Sequence, residues 1–425
     1  MRSGGQVLML AHHFPPAGGS GSNRALAFAR YLPEHGWQPT VVTPDAHWAA
    51  NRDDALLQEI PDDTKVVRTR SWESRPTRTT HTASTKAETP RHTQSLRRHL
   101  GHLKRFPDAH IGWLPFALAA ARRQTYDVAY SSSGPFTTHV AGLLLSRLTR
   151  KPWVAELRDG WYRWNRAIFP DYPVWRDKLE RRLEAAVIRT ADRVILVTDR
   201  MADAFRYQYV DLPAEHFGVV SNGYDPEQFG RPSPVPTHAG WHVLHAGALY
   251  YGRSLASFLE GVRLVREVNP QFASDFRLRL LGTFDGAALR EVGLESYIEV
   301  LPQTGHAAAI DAMRAADALL LVANTTPGAE ATVPGKLFEY LAVGRPVLAI
   351  APAQSSTADV LHRTGGGWLA DAGSVESIAC ALQRAYGERE PRSDPTEVAR
   401  FDRRRLAGDL AHVLDEVTAG APRRF

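Results

Sequence analysis

Short, unbroken apolar runs alternate with stretches in which apolar residues return every three or four positions, and this alternation continues through most of the chain. Runs at 7–11, 40–43, 65–69, 128–131, 153–156 and 194–197 predict strands in the first half. Runs at 243–246, 277–281, 297–300, 318–322 and 346–350 do so in the second. Helical spacing falls between them, at 24–32, 135–148 and 174–189, then at 255–265, 307–315 and 336–342. The strand runs are apolar throughout rather than alternating, so helices are expected on both faces of a parallel sheet. Two such arrays in succession predict an α/β protein of two doubly wound domains facing each other across a cleft.

The expected boundary lies near 220–240, where Asn222-Gly223, Pro226, Pro232, Pro234 and Pro236 cluster. The domains are then 1–222 and 223–399, with 400–425 an amphipathic terminal helix packing back toward the first. A length of 425 residues suits two cores better than one. The net charge of +5 is too small to indicate a nucleic-acid partner. A single cysteine, Cys380, excludes an internal disulfide and disfavours a thiolate metal site. The first apolar run breaks at His12, too early for a secretory leader, and no run reaches the length of a membrane span. A cytoplasmic protein is expected.

One stretch departs from this even charge. Residues 68–105 carry ten Lys or Arg against two acids, Glu73 and Glu88. Their end puts Leu96, Leu100 and Leu103 on one helical face among basic groups. Two readings stand for this basic insertion: a solvated helix packed on the first domain, or a peripheral contact for an anionic acceptor or membrane surface.

Ligands of open α/β sheets bind beyond the carboxyl ends of strands, so the turns there carry the candidate chemistry. The first turn, after 7–11, holds His12, His13, Gly18, Gly19 and Gly21 and leads into a helix, a place where backbone N–H groups can meet a phosphate. It matches neither the Walker loop nor the dinucleotide fingerprint. The second turn, after 243–246, holds Gly247, Tyr250, Tyr251, Gly252 and Arg253; an arginine at a helix start suits a bound diphosphate or a paired carboxylate. The third runs from Thr325 through Glu330 and Gly335 to Lys336 and Glu339, then to Gly344-Arg345-Pro346. Glu339 suits either the helix dipole or the vicinal hydroxyls of a ribose, and Lys336 could meet phosphate oxygens.

Taken in order, Pro15-Pro16-x-Gly18-Gly19, Ser221-Asn222-Gly223-Tyr224-Asp225, Gly247 with Tyr251-Gly252-Arg253, and Pro334-x-Lys336-Leu337-Phe338-Glu339-Tyr340-Leu341-Ala342-x-Gly344-x-Pro346-Val347 resemble glycosyltransferase family 4. The segment Glu156-Leu157-Arg158-Asp159-Gly160-Trp161 resembles the family's element before the acceptor site. The resemblance implies the GT-B fold and retaining transfer from a nucleotide sugar, UDP- or GDP-linked, which is a substrate rather than a cofactor. It implies that Gly18, Gly19, Gly247 and Gly335 admit the donor, that Arg253 and Lys336 act on its diphosphate, and that Glu339 holds its ribose. With no Asp-x-Asp in the chain, it also implies that no metal is needed.

Two positions depart from the family pattern. Its frequent second glutamate would fall on Ala331, and Glu330 stands one place off, so Glu330 either takes that donor-binding role from a longer loop or the role is absent. Where many members carry a histidine, this chain has Arg158 before Asp159, which serve an acceptor or pair with each other. His12 and His13 are placed beside donor or acceptor, with structural hydrogen bonding as their other reading. Aromatic residues follow Asp159, at Trp161, Tyr162, Trp164, Phe169, Tyr172 and Trp175, as packing or as an acceptor platform. The acceptor is expected to be a small molecule or a lipid-linked glycan. An epimerase of the same fold and a non-catalytic nucleotide-sugar binder are the alternatives.

Overall fold

The computed structural model describes residues 4–48, 52–72, 106–162, 173–229, 238–247, 249, 253–282, 284, 295–388 and 393–420. The chain forms two compact units, Met1–Ser221 with Arg403–Phe425, and Asn222–Asp402. Most of the basic stretch, 73–105, lies outside the described residues, as do Trp164, Phe169, Tyr172, Tyr251 and Gly252.

The first unit is built on a seven-stranded parallel sheet of order β3-β2-β1-β4-β5-β6-β7. These are β1 Gly5–Leu10, β2 Trp37–Pro44, β3 Lys65–Thr69, β4 Val128–Ser132, β5 Trp153–Leu157, β6 Arg193–Leu196 and β7 Phe217–Val219. Val7, Leu8, Met9 and Leu10 are wholly buried, because helices cover both faces of the central strand. The helices of eight or more residues are α1 Ser20–Tyr31, α2 Leu114–Ala121, α3 Thr137–Thr149, α4 Val174–Thr190 and α5 Asp199–Gln208. Order reverses between β1 and β4, so the unit's crevice opens where those two strands end.

The second unit repeats the plan with six parallel strands in the order β10-β9-β8-β11-β12-β13. They are β8 Trp241–Ala246, β9 Phe276–Leu281, β10 Ile298–Leu301, β11 Ala318–Val322, β12 Val347–Ala351 and β13 Gly367–Asp371. Among the described residues, its helices of eight or more residues are α6 Ala256–Val268, α7 His306–Ala315, α8 Gly335–Val343, α9 Ser356–Thr364 and α10 Val375–Glu388. Here the reversal lies between β8 and β11. Two doubly wound parallel sheets are what the apolar pattern predicted. The strands it does not announce are β7, three residues long, and β13, an edge strand whose burial alternates.

The last helix, α11 Arg403–Gly420, belongs to the first unit. Leu406, Leu410, Leu414 and Val417 lie on one helical stripe and are buried with Phe28, Tyr31 and Trp37. The Trp37 indole N–H also donates to Asp415 at 3.1 Å. Among the described residues, no helix is long and apolar enough to cross a membrane.

Candidate active site

In the second unit, β8 ends at His245 and Ala246, and Gly247 follows it. Gly247 has φ 110°, a conformation that only glycine adopts without strain, and a Cβ there would collide with the Lys336 side chain. Gly282, at the end of β9, has φ 136°, and its own Cβ would come within 3.1 Å of the Gly247 backbone. Two glycines thus let neighbouring strand ends and a lysine share one small space.

Helix α8 delivers that lysine. It starts at Gly335 behind Pro334, with no side-chain cap and no acid in its first turn, and stops at Gly344 in the left-handed region, φ 77°. Lys336 and Tyr340, one turn apart, both reach Ala246. The Lys336 amine donates to the Ala246 carbonyl, and the Tyr340 hydroxyl accepts from the Ala246 N–H at 2.9 Å. Burial, opposed by the Glu339 charge and helped by that of Arg253, lowers the Lys336 amine to about 8. Burial likewise lowers buried His245 to about 4, helped by Lys336 and Arg253, while its Nδ1 donates to the Leu320 carbonyl at 2.9 Å. Lys336, Arg253 and a neutral His245 therefore gather at the end of β8.

Glu339 is half-buried beside Lys336, and its oxygens accept no hydrogen bond from the described residues. Glu330 differs. It is exposed, and its Oε2 accepts from the Gly328 N–H at 2.8 Å, closing its own short turn. Gly335 is exposed, with open space where a Cβ would stand.

In the first unit, the turn after β1 reaches α1 through Gly18 and Gly19, the latter exposed with φ 103° and serving as the helix cap without any side-chain bond. His12 is buried against His110, ring centroids 4.2 Å apart, and against Trp113 at 5.3 Å. His13 is half-buried, 5.2 Å from His12. Trp161 is buried and stacks on Phe136 at 4.5 Å, so its ring packs inside the unit. Tyr162 is also buried, and Arg181 lies over its ring.

Arg158, the first residue beyond β5, lies at the crevice. Its N–H donates to Ser133 Oγ at 3.0 Å, its Nε to the Ser133 carbonyl, and its Nη2 to the Gly134 carbonyl at 3.5 Å. Arg158 and Asp159 interact through charge but form no ion pair; burial raises the Asp159 carboxyl and Arg158 opposes this. The direct pairing that the sequence left open is absent because Ser133 and Gly134 turn the guanidinium away toward α1.

Sequence reasoning missed the ion pair behind this crevice. Arg24 on α1 donates to Glu156 on β5 at 2.6 Å and to the Val220 and Ser221 carbonyls at 2.8 and 2.5 Å. Ser132 Oγ donates to the other Glu156 oxygen at 2.7 Å. Burial alone would raise the Glu156 carboxyl, but the Arg24 charge and these hydrogen bonds hold it below its usual range. The available signal was a lone acid inside the apolar run Trp153–Leu157. Among the described residues, no three His, Cys, Asp or Glu side chains are grouped to hold a metal ion.

Residues 18–228 match the profile of Glycosyltransferase Family 4, and residues 241–388 match that of Glycosyl transferases group 1. No curated protein matches the chain in sequence. Among solved structures, sucrose-phosphate synthase from Thermosynechococcus elongatus is similar at 16% identity and TM-score 0.62, over 98% of this chain and 99% of that one. Anabaena HepE in complex with UDP-glucose is similar at 18% identity and TM-score 0.63, over 97% and 100%. A Listeria monocytogenes protein assigned as a UDP-N-acetylglucosamine 2-epimerase is similar at 12% identity and TM-score 0.55, over 97% and 96%. These likenesses establish the GT-B fold, which transferases and an epimerase share.

Proposed function

Since the chain belongs to the glycosyltransferases, family 4 in its front part and group 1 in its rear part, we propose that it moves a sugar from a nucleoside diphosphate sugar to an acceptor with retention at the anomeric carbon. UDP or GDP is the nucleotide in this reading. The observation that carries it is the gathering of Lys336 and Arg253 at the end of β8, where burial already disfavours the lysine's charge. A diphosphate relieves that cost, and it needs most relief when it departs with added negative charge.

The step balances without a strong base. The acceptor oxygen attacks the anomeric carbon on the face from which the diphosphate leaves, the carbon–oxygen bond to phosphate breaks, and the acceptor proton passes to the departing phosphate oxygen. Lys336 and Arg253 stabilise that leaving group in place of a metal. Glu339, whose oxygens are open, accepts from the ribose hydroxyls. The backbone at Gly247, Gly335, Gly18 and Gly19 lets the donor approach closely. Glu330, one of whose oxygens accepts from the Gly328 N–H, has its other oxygen for the donor-binding role that the longer loop would give it. The acceptor is a small molecule or lipid-linked glycan, and the basic stretch 68–105 is the place for a peripheral anionic surface.

The test is release of free nucleotide from UDP-, GDP- and ADP-sugars, with and without acceptors. Acceptor-dependent release with an α-product from an α-donor supports the reading. Sugar interconversion without an acceptor would make the chain an epimerase, and binding without turnover would make it a carrier of nucleotide sugars.

A further inference from the structure

At the amino end of β8, opposite the strand ends that carry the candidate site, the rings of His238 and His242 lie face to face. Their centroids are 3.7 Å apart and their planes 4° from parallel. The pair belongs to a small clasp. His238 Nε2 donates at 2.9 Å to the carbonyl of Ala315, the last residue of α7. The His242 N–H donates to Asp317 Oδ2 at 2.7 Å, and the Asp317 N–H donates to the His242 carbonyl at 2.9 Å. Arg314 Nη2 donates to the Phe229 carbonyl at 2.6 Å, so the end of α7 holds the chain on both sides of residues 230–237.

This clasp tolerates little added charge. A carbonyl only accepts, so His238 Nε2 carries the hydrogen and its Nδ1 holds a lone pair. The Nδ1 atoms of both rings are buried and have no hydrogen-bond partner among the described residues. A proton on His238 Nδ1 therefore meets no acceptor, and a buried N–H without one is costly. One imidazolium over a neutral ring is acceptable, whereas two cations at this separation repel. The surrounding charges leave that limit in place. Asp317 Oδ2, 3.8 Å from His238 Nε2, favours a first proton. Arg279 on β9 opposes one and is itself paired with Glu299 on β10 at 2.7 Å. Arg277, opposite His242 on β9, donates to the Ser274 and Phe276 carbonyls. At the end of α7, Arg314 also pairs with Asp311, and Arg345 donates to the Arg314 carbonyl. Burial, with the His238 and Arg279 charges, holds His242 below the ordinary histidine value of 6.5, while Asp317 and Glu299 oppose this.

We propose that His238 and His242 form an acid-sensitive staple: it stays closed with at most one proton on the two rings, and a second proton drives them apart and releases the start of β8 from the end of α7. The neutral His242 ring favours the folded state, so its contribution is complete above pH 6.5 and is lost as the pH falls below that value.

The experiment follows the full chain, labelled with carbon-13 at histidine Cε1, by NMR from about pH 8 to about pH 4.5, with His238→Gln and His242→Gln assigning the two signals. The expected result is two steps that belong to the pair, the second about one pH unit or more below the first. In either variant the remaining ring should titrate in a single step, above the second step of the pair. Hydrogen exchange, corrected for its intrinsic pH dependence, reads the release itself. The His242 and Asp317 amides should open about tenfold more often at about pH 5 than at about pH 7.5 in the unaltered chain, and about equally often at both in His242→Gln. One common step for both rings overturns the proposal, as does a two-step titration that leaves these amides closed. An acid response of the amides that survives in both variants also overturns it, because the switch then lies elsewhere. Should a variant not fold, exchange in the unaltered chain decides: equal opening at both pH values overturns the staple.

Discussion

The two units share a topology and place their buried charge in opposite ways. Behind the first crevice, Arg24 meets Glu156 and two carbonyls, and Glu156 meets Ser132, so charge and hydrogen bonds are matched inside the protein. At the second crevice, Lys336 and Arg253 stand near one another, Glu339 gives only partial relief, and the lysine falls to about 8. The first arrangement holds a fold together. The second brings two cations together at a strand end, the arrangement that the proposed diphosphate would neutralise.

Substitutions can break this comparison. The largest effect on stability is expected from Glu156→Ala, which strands a buried guanidinium and should cost about 3–5 kcal/mol, read by urea unfolding. An effect no larger than that of a surface substitution would mean that the first unit's pair is not structural. For activity, Arg253→Ala should lower turnover by about 10²–10³-fold, as loss of one preorganised charge donor does, with the melting temperature retained. Unchanged turnover would remove Arg253 from the site.

The acidity of Lys336 gives the next effect. Below pH 8 the free lysine is protonated and ready for a diphosphate; above about 8 binding must first take up a proton. Donor affinity should therefore fall as pH rises from 8, by up to about tenfold per unit, and UDP binding there should show proton uptake in calorimetry. A flat affinity from pH 7 to 9.5 would count against Lys336 as the phosphate ligand. Folding follows the same group with the opposite sense: the unfolded lysine holds its proton up to its ordinary value, so its contribution to stability rises between pH 8 and that value. The smallest effect separates two acids. Glu339→Gln should raise the donor KM more than Glu330→Gln, because Glu339 stands beside Lys336 with both oxygens open, whereas one Glu330 oxygen accepts from the Gly328 N–H.

Much of the fold was legible because a parallel strand covered on both faces must be apolar along its length. The predicted run 128–131 falls on β4, and 318–322 coincides with β11. The edge strands β3 and β10 were legible as well, but the edge strand β13 escaped, since it mixes buried and half-exposed residues. The terminal helix was legible from its stripe of leucines. Lys336 and Glu339 were found from spacing, since helical residues three apart share a side, but their environments were not: the lysine's carbonyl partner is 90 positions away in sequence. Arg158 illustrates the same limit. Its neighbour Asp159 suggested a pair, whereas Ser133, Gly134 and Gly21 claim the guanidinium.

Sequence by itself determined the kinds of element, their order and the positions of the turns that carry chemistry, because periodicity and turn preferences act over a few residues. Only the tertiary structure decided which charges are satisfied. Glu156 and Lys336 are both charged groups next to apolar stretches, and nothing local distinguishes them. One meets a guanidinium from a distant helix, while the other meets a carbonyl and a second cation, and the free energy of a buried charge is set by such neighbours rather than by its own chain.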